Sequence, residues 1–126
     1  NKRDYNCNSC SRSNISTHYD NNDKGYFYVV ENDLMYKYGV SYRVEDRVNE
    51  HKRSNLYPHI QIEFKTLQQA YSFERLVKRF VRENNLEFTG NYNFICGGKT
   101  ETICKSKAKD VTAKWLLNIM KDKVNE

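Results

Sequence analysis

Two aromatic and β-branched runs, residues 25–31 and 34–40, are separated only by Asn32-Asp33, and this pattern constrains the fold more than any other. Asn and Asp hydrogen-bond their own backbone in tight turns. Short runs of this composition on either side of such a turn read as the two strands of an antiparallel hairpin. A third strand follows Pro58, where His59-Ile60-Gln61-Ile62-Glu63-Phe64 alternates polar and apolar residues as a half-buried strand does. Between them, Ser41 is placed to cap a helix over 44–53, with Glu45 and Asp46 near its positive end. Thr66 opens a long amphipathic helix to about residue 85, whose apolar stripe is Leu67, Ala70, Phe73, Val77, Phe80 and Val81. Residues 86–95 read as partly extended, with Gly90 at a turn. A last helix, 109–123, has Val111, Trp115, Leu116, Ile119 and Met120 to bury. The expected architecture is α+β: a small three-stranded antiparallel sheet flanked by helices, with an extra C-terminal helix.

The chain has 126 residues, enough for one hydrophobic core. Its ten Tyr, six Phe and one Trp are too many for a disordered tail. The longest unbroken apolar run, Tyr26-Phe27-Tyr28-Val29-Val30, falls far short of the ~20 residues a membrane-spanning helix needs. No charged, apolar, small-residue leader opens the sequence, so an intracellular location, cytoplasm or nucleus, is expected without membrane association. The net charge of +5 is uneven: residues 37–82 carry ten basic and five acidic side chains, and residues 99–123 carry seven and three. A basic surface is the footprint of a nucleic-acid binder, although solvated helix faces give the same arithmetic.

The polar residues inside this layout have a definite spacing. Tyr28 lies in the first strand and Lys37-Tyr38-Gly39 ends the second. Arg47 comes eight residues after Gly39, and His51 four after Arg47, which puts both on one helix face. Glu74 falls on the long helix, and Asn93 follows in Gly90-Asn91-Tyr92-Asn93-Phe94. In this order of aromatic hairpin, Arg, His, helical Glu and Asn, residues 25–94 resemble the GIY-YIG nuclease superfamily. The likeness is to its branch in phage and large-DNA-virus proteins, where the second tripeptide reads KIG-like, here Lys37-Tyr38-Gly39.

The resemblance implies an endonuclease that hydrolyses DNA phosphodiester bonds with one Mg2+ or Mn2+ ion. Glu74 would be its sole protein ligand, which suits a cation that keeps most of its water. Tyr28 would act at the attacking water as general base or relay; a phenol with a pKa near 10 needs cations nearby to serve at neutral pH. Lys37 would supply one, in the place where most members carry a second tyrosine. Arg47 would hold the scissile phosphate with its planar fork. His51 would assist through a hydrogen bond to Tyr28 or the phosphate, and Asn93 would orient the site through its amide. Arg43, Lys52, Arg53 and Lys78 are the expected contacts to the nucleic-acid backbone, DNA first and RNA on the same chemistry. On this reading residues 1–24 are an irregular leader, 25–95 the nuclease-like core and 96–126 a basic extension. The alternative is a catalytically silent nucleic-acid-binding or protein-interaction module on the same fold.

Taken singly, these residues have plainer readings: Glu74 paired with Lys78, Arg47 with Glu50, and Tyr28 in the core with its hydroxyl on a buried partner. The case rests on their joint order. Cys7-x2-Cys10 has the spacing of a metal knuckle, and with Cys96 and Cys104 it would make a four-cysteine structural zinc site fastening the leader to the segment after Asn93. Cys7, Cys10 and His18 with further ligands, or four unrelated reduced thiols, are the other readings. Gly97-Gly98-Lys99-Thr100 resembles the end of a phosphate-binding P-loop but lacks its first glycine, since position 93 is Asn93.

Overall fold

The computed structural model describes residues 24–92 and 101–124. Four strands, β1 (Gly25–Glu31), β2 (Met35–Ser41), β3 (Tyr57–Phe64) and β4 (Thr102–Cys104), form one antiparallel sheet in the order β3-β1-β2-β4. Among the described residues three helices cover it: α1 (Val44–Lys52), α2 (Leu67–Glu83) and α3 (Ala113–Val124). The α+β class therefore stands, with four strands instead of three. The extra strand, Thr102-Ile103-Cys104, is too short to carry a period, so it left no pattern in the sequence; Ile103 is nevertheless fully buried against β2.

The hairpin forms where the sequence places it, with one adjustment at its tip. Asn32 Oδ1 accepts from the backbone N–H of Leu34 (2.8 Å) and Met35 (3.0 Å), and the Asn32 N–H donates to the Met35 carbonyl. Leu34 thus sits in the turn, half exposed, and β2 begins at Met35. β1 and β2 are central and covered on both faces, so β2 is buried along its whole length instead of alternating. The edge strand β3 does alternate, half-buried at Ile60, Ile62 and Phe64 and exposed between them. Pro58 lies within β3, where an edge position spares the missing N–H. The register shifts beside it, passing from Val29↔Ile60 to Val30↔Pro58.

Helix ends follow local chemistry. Thr66 Oγ1 accepts from Gln69 N–H and Thr112 Oγ1 from Trp115 N–H, two side-chain N-caps, which is why the last helix starts at Ala113 and not near residue 109. Ser41 does not cap α1; its Oγ accepts from the Arg43 N–H, and no side chain caps that helix. α1 and α2 finish alike. Asn55 (φ 61°) and Asn85 (φ 55°) take the left-handed conformation, and the following Leu56 and Leu86 N–H groups return to the carbonyls of His51 and Val81. These are Schellman closures with Asn in glycine's usual place.

One face of the sheet packs on α2 and α3. Phe27, Val29, Tyr36, Tyr38 and Val40 meet Leu67, Ala70, Phe73, Val77 and Val81, and Phe80 packs edge-on against Trp115 at 5.5 Å. A Cβ on Gly25 would lie 2.7 Å from the Leu67 Cα, so only glycine lets α2 begin this close to β1. The other face carries a smaller cluster of Tyr28, Val30, Met35, Val44 and Leu56, flanked by Phe88 and Tyr92 from the irregular segment after α2. Tyr92 fastens that segment, donating to the Ser54 carbonyl and accepting from Asn32 Nδ2. Among the described residues no helix is long and apolar enough to cross a membrane.

Candidate active site

Strand alternation gathers the polar residues on the smaller face. Tyr28 and Val30 on β1 lie opposite Gly39 and Lys37 on β2, and opposed residues point the same way. The Tyr28 ring lies directly over Gly39: a Cβ there would come within 2.5 Å of the phenol oxygen and 2.8 Å of Cζ. The glycine of the Lys-Tyr-Gly tripeptide is thus required by the tyrosine across the hairpin, which it lets lie flat and 3% exposed.

The phenol does not end in an apolar wall. Tyr28 Oη stands 3.0 Å from Nε2 of His51, which α1 lowers onto the sheet with 1% of its surface exposed. Burying a hydroxyl and an imidazole is costly unless they pair, and this contact pairs the phenol oxygen with one of the two ring nitrogens, Nε2. One turn earlier on α1, Arg47 is largely buried with its Nε 3.2 Å from Glu50 Oε1. Tyr28 and His51 are therefore brought together by a hairpin and the helix that follows it, with Lys37 on the same face of the sheet and Arg47 one turn earlier on that helix.

Lys37 is the least expected member, an ammonium only 1% exposed between two strands. Its charge is met by Glu101, whose Oε1 lies 3.9 Å from Lys37 Nζ and whose Oε2 lies 3.6 Å from Lys78 Nζ on α2. Glu101 immediately precedes β4 and is itself buried. It links the hairpin to the helix that carries Glu74. Sequence reasoning missed Glu101, because the polar stretch around it offers no period and the strand that positions it has three residues.

Glu74 comes from the opposite layer. It sits within the apolar stripe of α2, between Phe73 and Val77, and is 8% exposed. Tyr38 shows how much negative charge collects there. Burial is the first cause that holds its phenol far above the usual range, followed by the Glu101, Glu74 and Glu87 carboxylates. The Tyr38 hydroxyl has no hydrogen-bond partner among the described residues.

Of the expected backbone contacts, Arg43, Lys52 and Arg53 are exposed at the two ends of α1, with Arg43 3.3 Å from Asp46. Lys78 is turned inward to Glu101. Asn93, Cys7, Cys10, Cys96 and His18 lie outside the described residues. Cys104 stands half-buried on β4, its thiol pKa lowered first by a hydrogen bond with Ser106 at 3.1 Å. His59, for which the sequence suggested no role, ties strands together: Nδ1 is 3.2 Å from Glu31 Oε2 and Nε2 is 2.6 Å from the Val111 carbonyl. Among the described residues no three His, Cys, Asp or Glu side chains are grouped to hold a metal ion.

Comparison with known proteins returned no match among curated proteins or solved structures. The T5orf172 domain matches residues 25–120, from the first residue of β1 into α3 and across every site residue described above. The chain belongs to the T5orf172 domain family.

Proposed function

We propose that this chain is a metal-dependent endonuclease of the GIY-YIG type, hydrolysing DNA phosphodiester bonds with a single Mg2+ or Mn2+ ion. The observation that carries the reading is the buried Tyr28–His51 pair at 3.0 Å, set over Gly39 on the sheet face that also carries Lys37 and against the helix that carries Arg47. A core tyrosine needs only a backbone acceptor; one bonded to a histidine has a partner that moves protons near neutral pH.

With the imidazole proton on Nδ1, Nε2 accepts from the phenol. Water then gives its proton to the Tyr28 oxygen as Tyr28 passes its own to His51; the resulting hydroxide attacks phosphorus, the P–O bond to the leaving sugar oxygen breaks and that oxygen takes a proton from solvent, while the phenol stays neutral. Arg47, its fork held by Glu50, offsets the charge that grows on the non-bridging phosphate oxygens. Lys37 contributes a fixed positive charge near the phenol. Glu74 would hold the divalent ion, which supplies Lewis-acid polarisation of the phosphate when bound. Arg43, Lys52 and Arg53 would meet flanking backbone phosphates.

The pairing of both inner cations with carboxylates, Arg47 with Glu50 and Lys37 with Glu101, favours the second reading, a silent nucleic-acid-binding module on the same fold. A plasmid and oligonucleotide digest with Mg2+ or Mn2+ separates the two. Wild type is expected to cut, and Glu74→Gln and Arg47→Ala to lose about 10²-fold or more in rate. Wild type that binds without cutting in either metal, or Glu74→Gln that cuts equally, would overturn the catalytic reading.

A further inference from the structure

A cleft of about 400 Å3 opens beside Tyr28, and of its lining the chemistry above uses only Arg43. Tyr26, Tyr42, Arg43, Glu45, Asp46 and Gln61 line it. Tyr26 precedes Tyr28 by two residues on β1 and so faces the same side; Gln61 is Tyr28's partner across the β1–β3 ladder. The cleft is therefore next to Tyr28 along both strands. Its volume lies in the range of sites that take small organic groups.

The lining decides what kind of group fits. Its one cation, Arg43, is already 3.3 Å from Asp46, and Glu45 adds a second carboxylate. These two acids occupy the first turn of α1, so the positive end of that helix faces its own side chains. A second phosphate would meet net negative charge here. A neutral, flat group bearing N–H donors meets the half-buried Tyr26 ring for stacking, beside a Tyr42 ring over which Arg43 lies at 5.9 Å, with the Gln61 amide and the Glu45 carboxylate to accept from its edge.

We infer that this cleft receives the nucleobase adjoining the scissile phosphate, unpaired and carrying an exocyclic amino group. The substrate class is then single-stranded or branched nucleic acid, because a base inside an intact duplex presents neither its face nor its pairing edge. The inference rests on the nuclease reading for its place beside the cut, but its test does not need cleavage.

Wild-type chain in EDTA is titrated with an oligothymidylate carrying one internal 2-aminopurine, a fluorescent base with an exocyclic amine that stacking quenches. Quenching at saturation is expected, with affinity about tenfold above that of the all-thymidine oligonucleotide. Tyr26→Leu removes the quenching, and Gln61→Leu removes the preference over thymidine. Gln61 is exposed on an edge strand, so its variant decides the matter even where Tyr26→Leu fails to fold. No quenching by wild type, or quenching and preference unchanged in both variants, overturns the inference. Wild type that cuts DNA without quenching removes the base site alone. Quenching that depends on Tyr26 in a chain that cuts nothing removes the nuclease reading and leaves the base site.

Discussion

The two faces of the sheet draw on the same two strands, residue by residue, and are filled differently. Phe27, Val29, Tyr36, Tyr38 and Val40 turn to α2 and meet an apolar helix stripe. Tyr28, Lys37 and Gly39 turn to α1 and meet a histidine, an arginine and a buried ion pair. The α2 face is redundant, since many side chains share the load and volume is what matters. The α1 face is specific, since its buried polar groups meet polar partners and a change of one atom breaks a pairing. Apolar burial holds the hairpin rigid, and that rigidity lets a phenol, an imidazole and an ammonium stay buried where they would otherwise be hydrated.

The largest expected effect is on the apolar face. Phe73 packs edge-on against Phe27 at 4.8 Å and lies 5.5 Å from Phe64, with 2% of its surface exposed. Phe73→Ala should cost about 3–5 kcal/mol, read by urea unfolding. Next comes Gly39→Ala, where the new methyl must displace the Tyr28 ring. A loss of about 1–3 kcal/mol is expected from overpacking. It should shrink in the Gly39→Ala, Tyr28→Leu double variant, because the clash is with the phenol itself. If the double variant is as unstable as the sum of the singles, the flat packing of Tyr28 on Gly39 is not the reason for the glycine.

Tyr38 sharpens the contrast from the other side, as a polar group stranded on the apolar face. Tyr38→Phe removes a buried hydroxyl without a partner, so stability should hold or rise, by about 1 kcal/mol at most. The raised phenol pKa sets the sign of a pH effect. The folded state refuses ionisation that the unfolded chain undergoes near pH 10, so this contribution is intact below that pH and is lost as pH climbs above it. In metal-free buffer the alkaline fall in melting temperature should be shallower in Tyr38→Phe than in wild type. The smallest expected effect is at the rim. Replacing Arg43, Lys52 and Arg53 together should leave the fold unchanged and reduce the salt slope of DNA binding by about 2 to 3.

How much of this was legible in the sequence follows the same division. The hairpin, the edge strand and α2 with its Thr66 cap announce themselves through period and turn chemistry, so they are read to within a residue or two. Tyr28 and His51 meet, with Lys37 and Arg47 on the same hairpin face and helix, because local spacing puts them on one hairpin and the helix that follows it. β4 and Glu101 were not legible: three residues hold no period, and the partners of Glu101, Lys37 and Lys78, are distant in the chain. Ser41 carried a capping signal that the backbone spent on the Arg43 N–H, a competition that composition alone does not resolve. The burial of Glu74 within an apolar stripe, where a solvated helix position was equally good arithmetic, is a property of the tertiary fold.

The claim that the Tyr28–His51 pair serves chemistry and not packing alone meets its most direct test in Tyr28→Phe, measured twice on one preparation. The substitution keeps the ring over Gly39 and removes only the oxygen that faces His51. The account predicts a melting temperature within a few degrees of wild type, for a loss of about 1 kcal/mol. Mg2+-dependent cleavage should fall by about 10²–10⁴-fold. Wild-type cleavage from a folded Tyr28→Phe chain would contradict it, and Tyr28 would then be a core residue whose hydroxyl merely found a partner.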